Sequence, residues 1–197
     1  MTDYFVVLDQ PRRPWVEPQQ LKQKYHELAR SEHPDLDGNS SSRGAEAPPT
    51  LAAVNEAYRV LSSPRLRLQH LLALEDRPAG EGEKNNVAGG MGDLFMEAAG
   101  LVRDADALIV KRNGVTSALA KSLFQRETGS LGDRAHRLLE KLEGCYHVAV
   151  DDLRRADERW TTDRAQAVTE LRPLIQRFAY LDRWIEQLRE KQFQLAS

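Results

Sequence analysis

His33 and Asp35 lie two positions apart with Pro34 between them, and an imidazole near a carboxylate is a pairing that general-base chemistry can use. A base needs something to activate. No serine or cysteine nucleophile in a matching context, no glycine-rich phosphate cradle and no paired-carboxylate helix motif accompanies the pair, so a hydrolase built on His33 is disfavoured and no enzyme is expected. His26 and His33 are about two helical turns apart, but no third ligand lies near them in sequence; no metal and no cofactor are expected, and His26 reads as a solvated surface residue. Cys145 is the single cysteine. It rules out an intrachain disulfide and a thiolate cluster, fits a reducing compartment, and falls on an apolar stripe where it reads as a small buried hydrophobe. As a bare tripeptide, His33-Pro34-Asp35 is a helix stop with Asp35 capping a turn. That accounts for the proline and leaves the histidine unexplained. The chemistry that remains is recognition, with polar groups presented at a bend.

The elements that would hold such a bend can be read from apolar spacing. After Pro18, Leu21, Tyr25, Leu28 and Ala29 recur at helical intervals, and Pro34 ends the run because the residue before a proline is pushed out of the α region; this predicts a helix over 18–32. Residues 37–50 are small and polar and read as a loop. Thr50 is a candidate N-cap for a second helix marked by Leu51, Val54, Ala57, Tyr58 and Leu61, and this one stops before Pro64. The two runs would pack antiparallel, with His33 at the exposed bend between them. A third run follows from Arg65 to Leu74, and a short apolar piece, Asp3 to Leu8, precedes them all as a helical turn. Residues 76–92 hold five glycines and almost nothing that could pack, which marks a linker. Beyond it, apolar stripes through Leu94–Ile109, Leu138–Leu153 and Val168–Leu188 predict three long helices that bury one another in an antiparallel bundle. Pro173 lies within the last stripe, where a proline costs about 3 kcal/mol or more, so a kink or a helix start displaced toward it is expected. The fold class is therefore all-α, with a helical hairpin module at 1–75, a linker at 76–92 and a bundle at 93–197.

Composition narrows the partners. With 41% hydrophobic and 29% charged residues over 197 positions, the chain can build one large or two small cores. A net charge of −2 argues against a broad phosphate-binding surface, so nucleic acid is not an expected partner. No run approaches the roughly 18–20 apolar residues needed to span a bilayer, and no signal-peptide pattern opens the chain; a soluble cytoplasmic protein is expected. Trp15, Trp160 and Trp184 read as packing or interface groups, and the charges from Asp151 to Arg159 as a solvated face.

Tyr4, Leu8, the Leu21-Lys22, Tyr25, Leu28-Ala29 helix, His33-Pro34-Asp35 and the Asn55-Glu56-Ala57-Tyr58, Val60-Leu61-Ser62, Pro64 helix together resemble a J-domain, the module by which DnaJ-type co-chaperones engage ATPases of the DnaK class. Pro64 to Leu74 running straight on, followed by a glycine-rich link and a helical bundle ending Phe178-Ala179-Tyr180-Leu181-Asp182-Arg183, narrows the resemblance to HscB-type co-chaperones. Such proteins pair an N-terminal J-domain with a C-terminal three-helix bundle and serve iron–sulfur cluster assembly. The resemblance implies that the J-domain accelerates ATP hydrolysis by a DnaK/HscA-type chaperone, and that the bundle binds the cluster scaffold protein. His33, Pro34 and Asp35 would contact the chaperone together with Tyr25, while Lys22, Lys24 and Arg30 would supply the charge that steers docking. Phe95, Met96 and Glu97 occupy the place of the family's Leu-Met-Glu client segment; Phe95 and Met96 read equally as core residues.

The chain departs from the family in its charge. His26, Glu27 and Glu32 interrupt the basic helix, Leu36 stands where a lysine is common, and residues 1–75 carry nine Lys plus Arg against ten Asp plus Glu. Ala99, Gly100 and Arg103 replace larger apolar and acidic residues of the client segment. The alternative that follows is a J-like interaction scaffold without chaperone stimulation. A monomer is the expected state, with a dimer through exposed stripe residues as the alternative.

Overall fold

A computed structural model describes residues 1–31, 49–75, 91–114 and 117–196; among them are seven helices and no strand. The all-α expectation holds. The first helix, α1 (Tyr4–Val7), is a single turn started by Asp3, whose carboxylate accepts from the Phe5 and Val6 amides at 2.9 and 3.4 Å. It buries Phe5. The turn closes at Asp9 with φ 50°, a left-handed conformation that aspartate tolerates better than most residues.

Helix α2 (Pro18–Ser31) opens on a proline, which is preorganised for a first helical position. Leu21 is its buried anchor, while Tyr25, Leu28 and Ala29 are half-buried. Helix α3 (Leu51–Ser62) starts at Thr50, whose hydroxyl accepts from the Ala53 amide at 3.3 Å, and it buries Val54, Ala57, Val60 and Leu61. Leu51 was part of the expected stripe but stays 40% exposed, because it belongs to the first turn. Ser63 caps α4 (Pro64–Leu74) with Pro64 at its start, and this helix buries Leu68, Leu71 and Leu72. Helix α3 is the centre of the group: α1, α2 and α4 each pack on it.

Three longer helices follow: α5 (Gly92–Asn113), α6 (Ala118–Arg159) and α7 (Arg164–Ala196). The periodic stripes read from the sequence mostly turn inward in them, with Phe95, Ala98, Leu101, Ala105 and Leu108 buried on α5 and Leu94, Val102 and Ile109 half-buried at its margins. Tyr146 meets Phe178 edge-on at 5.2 Å between ring centres. Helix α7 runs unbroken through Pro173 and starts nine positions before it, so the helix start does not shift to the proline. Pro173 and Thr169 are both exposed, and the Thr169 carbonyl that loses its amide partner can be solvated instead.

By compactness the chain divides into two units, Met1–Glu81 with Leu153–Ile175, and Gly82–Asp152 with Gln176–Ser197. The helices α6 and α7 are thus shared between units, their joined ends grouped with the N-terminal helices. Two side-chain expectations change. Asp157, placed on a solvated face by its charged neighbours, is only 5% exposed, because residues 12–15 of the same unit cover it. Cys145 is half-buried instead of fully buried.

Candidate functional site

Helix α2 carries four of the seven residues expected to meet the chaperone. Lys22 and Arg30 are exposed and pair with no described residue. Lys24 lies between two carboxylates, Asp9 at 3.2 Å and Glu27 at 3.4 Å, and these, Asp9 foremost, hold its ammonium above the ordinary value of 10.5. Tyr25 is tied to α3. Its hydroxyl donates to Asn55 Oδ1 at 2.9 Å, and its ring stacks on Tyr58 with centres 4.4 Å apart and planes at 25°. The position that looked free to meet a partner is therefore also a brace of the helical hairpin. His26 is exposed, as expected, beside the Tyr25 ring. His33, Pro34 and Asp35 lie outside the described residues, beyond the end of α2 at Ser31.

Asn55 and Tyr58 were not anticipated as partners of Tyr25. Their spacing of three on one helix was a usable signal, since residues so spaced are neighbours on the helix surface. Nothing local pointed to the second feature of this unit, the contact of residues 12–15 with the α6 end. Asp157 accepts from Arg13 Nε at 3.0 Å, from a second Arg13 nitrogen, and from the Trp15 amide at 2.9 Å. The Asp157 carboxylate in turn holds the Arg13 guanidinium above its ordinary range, against the opposing effect of desolvation. Trp160, 4% exposed, donates its indole N–H to the Arg12 carbonyl at 3.0 Å, and the Arg154 guanidinium lies 4.4 Å from the Trp15 ring centre. Buried Arg67 completes the seat by donating to the carbonyls of Pro14 at 2.8 Å and Leu61 at 2.5 Å.

Helix α1 is held by an unexpected group, His70 of α4. This side chain is 5% exposed, its Nε2 accepts from the Tyr4 amide at 3.1 Å, and its ring lies 4.6 Å from Tyr4 and 5.8 Å from Phe5. Burial pushes the His70 pKa below its ordinary 6.5; Asp3 opposes that shift and Arg12 adds to it. The histidine is an acceptor here only in its neutral form.

On α5 the expected client triplet separates. Phe95 is 7% exposed and stacks on Tyr180 at 5.5 Å, so it packs in the core of its unit. Met96 is 70% exposed, and Glu97, also exposed, faces Lys141 at 3.5 Å. Consecutive helical residues point about 100° apart, so the three cannot form one contact patch. Among the described residues no three His, Cys, Asp or Glu side chains are grouped as metal ligands, and no helix is long and apolar enough to cross a membrane.

No family model matches the chain. It is 35% identical over 74 residues to the co-chaperone protein HscB of Proteus mirabilis, covering 37% of this chain and 43% of that protein. It is 28% identical over 163 residues to the chaperone protein DnaJ of Carboxydothermus hydrogenoformans, covering 74% of this chain and 40% of that one. The chain spans about two fifths of the length of these curated relatives. In fold it matches the chaperone HscB from Vibrio cholerae with a TM-score of 0.55 at 16% identity, over 98% of this chain and 99% of that one. The chain is thus related to HscB-type J-domain co-chaperones, in sequence through HscB and DnaJ and in fold through HscB.

Proposed function

We propose that this protein is a co-chaperone that stimulates the ATPase of a DnaK/HscA-type chaperone in the cytoplasm and presents to it a client, an iron–sulfur cluster scaffold protein. The observation that carries the reading is the 35% identity to an HscB over 74 residues, in a chain whose α2 and α3 pack as a hairpin with Tyr25 locked against Asn55 and Tyr58. The protein carries no chemistry of its own. It acts by preferring one state of the ATPase, which requires a difference in affinity between the two states and a rigid presenting surface. Exposed Lys22 and Arg30 steer encounter with an acidic chaperone surface; His33, Pro34 and Asp35 make the specific contacts. Lys24 adds little steering, because Asp9 and Glu27 already share its charge. That last observation favours the second reading, an interaction scaffold without stimulation.

Single-turnover ATP hydrolysis by the organism's DnaK-type chaperones separates the two. Wild type is expected to accelerate turnover, and His33→Gln to abolish the acceleration. Stimulation surviving in the variant removes His33 from the mechanism; none with wild type leaves the scaffold reading.

A further inference from the structure

Asp9 closes α1 in a turn that does not need its charge. The Gln10 amide donates to the Phe5 carbonyl at 2.8 Å and the Asp9 amide to the Val6 carbonyl at 3.1 Å, the pair of bonds that ends a helix around one left-handed residue. Asp9 is that residue, at φ 50°. Glycine takes this conformation without steric cost, and asparagine is the usual substitute for it. Aspartate keeps the shape of asparagine and adds a negative charge. That carboxylate is 81% exposed and reaches from the turn to α2, where it lies 3.2 Å from Lys24 Nζ. Glu27, at 3.4 Å from the same ammonium, sits on α2 itself and accompanies Lys24 in any arrangement of the unit. Asp9 is brought there only by the left-handed turn. Lys22 and Arg30, the other cations of this helix expected to meet the chaperone, are exposed and pair with no described residue.

Resting on the chaperone reading above, we propose that Asp9 is an intramolecular competitor that withholds Lys24 from the chaperone and thereby sets how acidic a partner must be to dock. A carboxylate of the chaperone gains Lys24 only by replacing Asp9, so it exchanges one ion pair for another instead of adding one. The displaced Asp9 stays beside α2 and faces the incoming acid as a like charge. A weakly acidic surface therefore gains nothing at this position, and a strongly acidic one prevails through Lys22, Arg30 and Lys24 together. Because an exposed ion pair in water is worth little, the contact tunes association by a few-fold and does not block it. Asparagine at position 9 would hold the same turn and release the lysine.

Stopped-flow association of the full chain with the organism's ATP-bound DnaK-type chaperone tests the proposal, with thermal midpoints to show each variant folded. Asp9→Asn is expected to associate about two- to fivefold faster than wild type at low ionic strength, and the gain should fade as salt is raised. Asp9→Gly, which suits the same φ without a side chain, should match it. Removing any acid near a basic surface speeds encounter somewhat, so a double-mutant cycle supplies the discriminating arm: in a Lys24→Gln background the Asp9→Asn gain should shrink to about 1.5-fold or less. Equal gains in the two backgrounds reduce Asp9 to a general field effect and overturn the competition. No gain in either background, with a wild type that binds, removes Asp9 while leaving the chaperone reading intact. A chain that does not bind the chaperone as wild type or as either variant overturns both.

Discussion

Two contacts inside the N-terminal unit join distant parts of the chain by opposite means. Tyr25, Asn55 and Tyr58 meet on the solvent side of the α2–α3 hairpin, where the aromatic stack adds to a single neutral hydrogen bond. Asp157 is enclosed, and it gathers Arg13 and the Trp15 amide from residues more than 140 positions away. Water competes for the first set of groups in both the folded and unfolded chain, so the net gain is small. For the second, burial removes that competition, and an unmet partner would be left without compensation. The tyrosine contact braces the α2–α3 hairpin; the aspartate contact holds the unit together.

Removing the enclosed carboxylate should have the largest effect. Asp157→Ala is expected to cost about 2–3 kcal/mol, the range for a charge-assisted hydrogen bond and a deserted amide, with Arg13 itself half-exposed and able to return to water. Urea unfolding followed by tryptophan fluorescence reads it directly, because Trp15 and Trp160 flank the site; a loss no larger than that of an exposed pair would erase the distinction. The buried side should also respond to acid. His70 is depressed below 6.5 in the folded protein, so the unfolded chain takes up its proton first as pH falls. Its contribution is complete above about 6.5 and diminishes below that value until the folded protein is protonated as well. Thermal midpoints of wild type should therefore drop more steeply below pH 6.5 than those of His70→Gln, and parallel curves would remove His70 from the linkage. Tyr25→Phe should change least, by about 0.5–1 kcal/mol, since the ring stack on Tyr58 survives the loss of one exposed hydrogen bond. A larger loss, measured in the same urea titration, would make the hairpin brace as consequential as the enclosed contact.

The contrast between α2 and α5 shows how far the sites could be read in advance. Spacing placed Tyr25 on the helix face toward α3, and it equally marked Phe95 as inward; it could not say that Lys24 would be shared by Asp9 and Glu27, because Asp9 lies in a turn on the other side of Pro18. Phe95 and Met96 looked like one apolar pair as neighbours in sequence. Helical rotation separates them into a core residue and an exposed one. The run Asp151–Arg159 looked uniformly solvated because charge composition is local, whereas the burial of Asp157 depends on a segment near the other end of the chain.

The sequence by itself determined the helices and, for the first four, their limits to within a residue or two; the three long ones run well past the stripes that marked them. Thr50 and Ser63 cap where their hydroxyls can take up free amides, Pro18 and Pro64 open helices that need no amide at that position, and repeating apolar residues set which side turns inward. These are short-range matters, settled within one or two turns. Only the tertiary structure decided that Leu153–Ile175 would join the N-terminal helices, that Arg13 and Asp157 would meet, and that His70 would serve as a neutral acceptor beneath α1. Each of these depends on what another part of the chain takes away from water, and a periodic pattern records that a face is covered without recording by what.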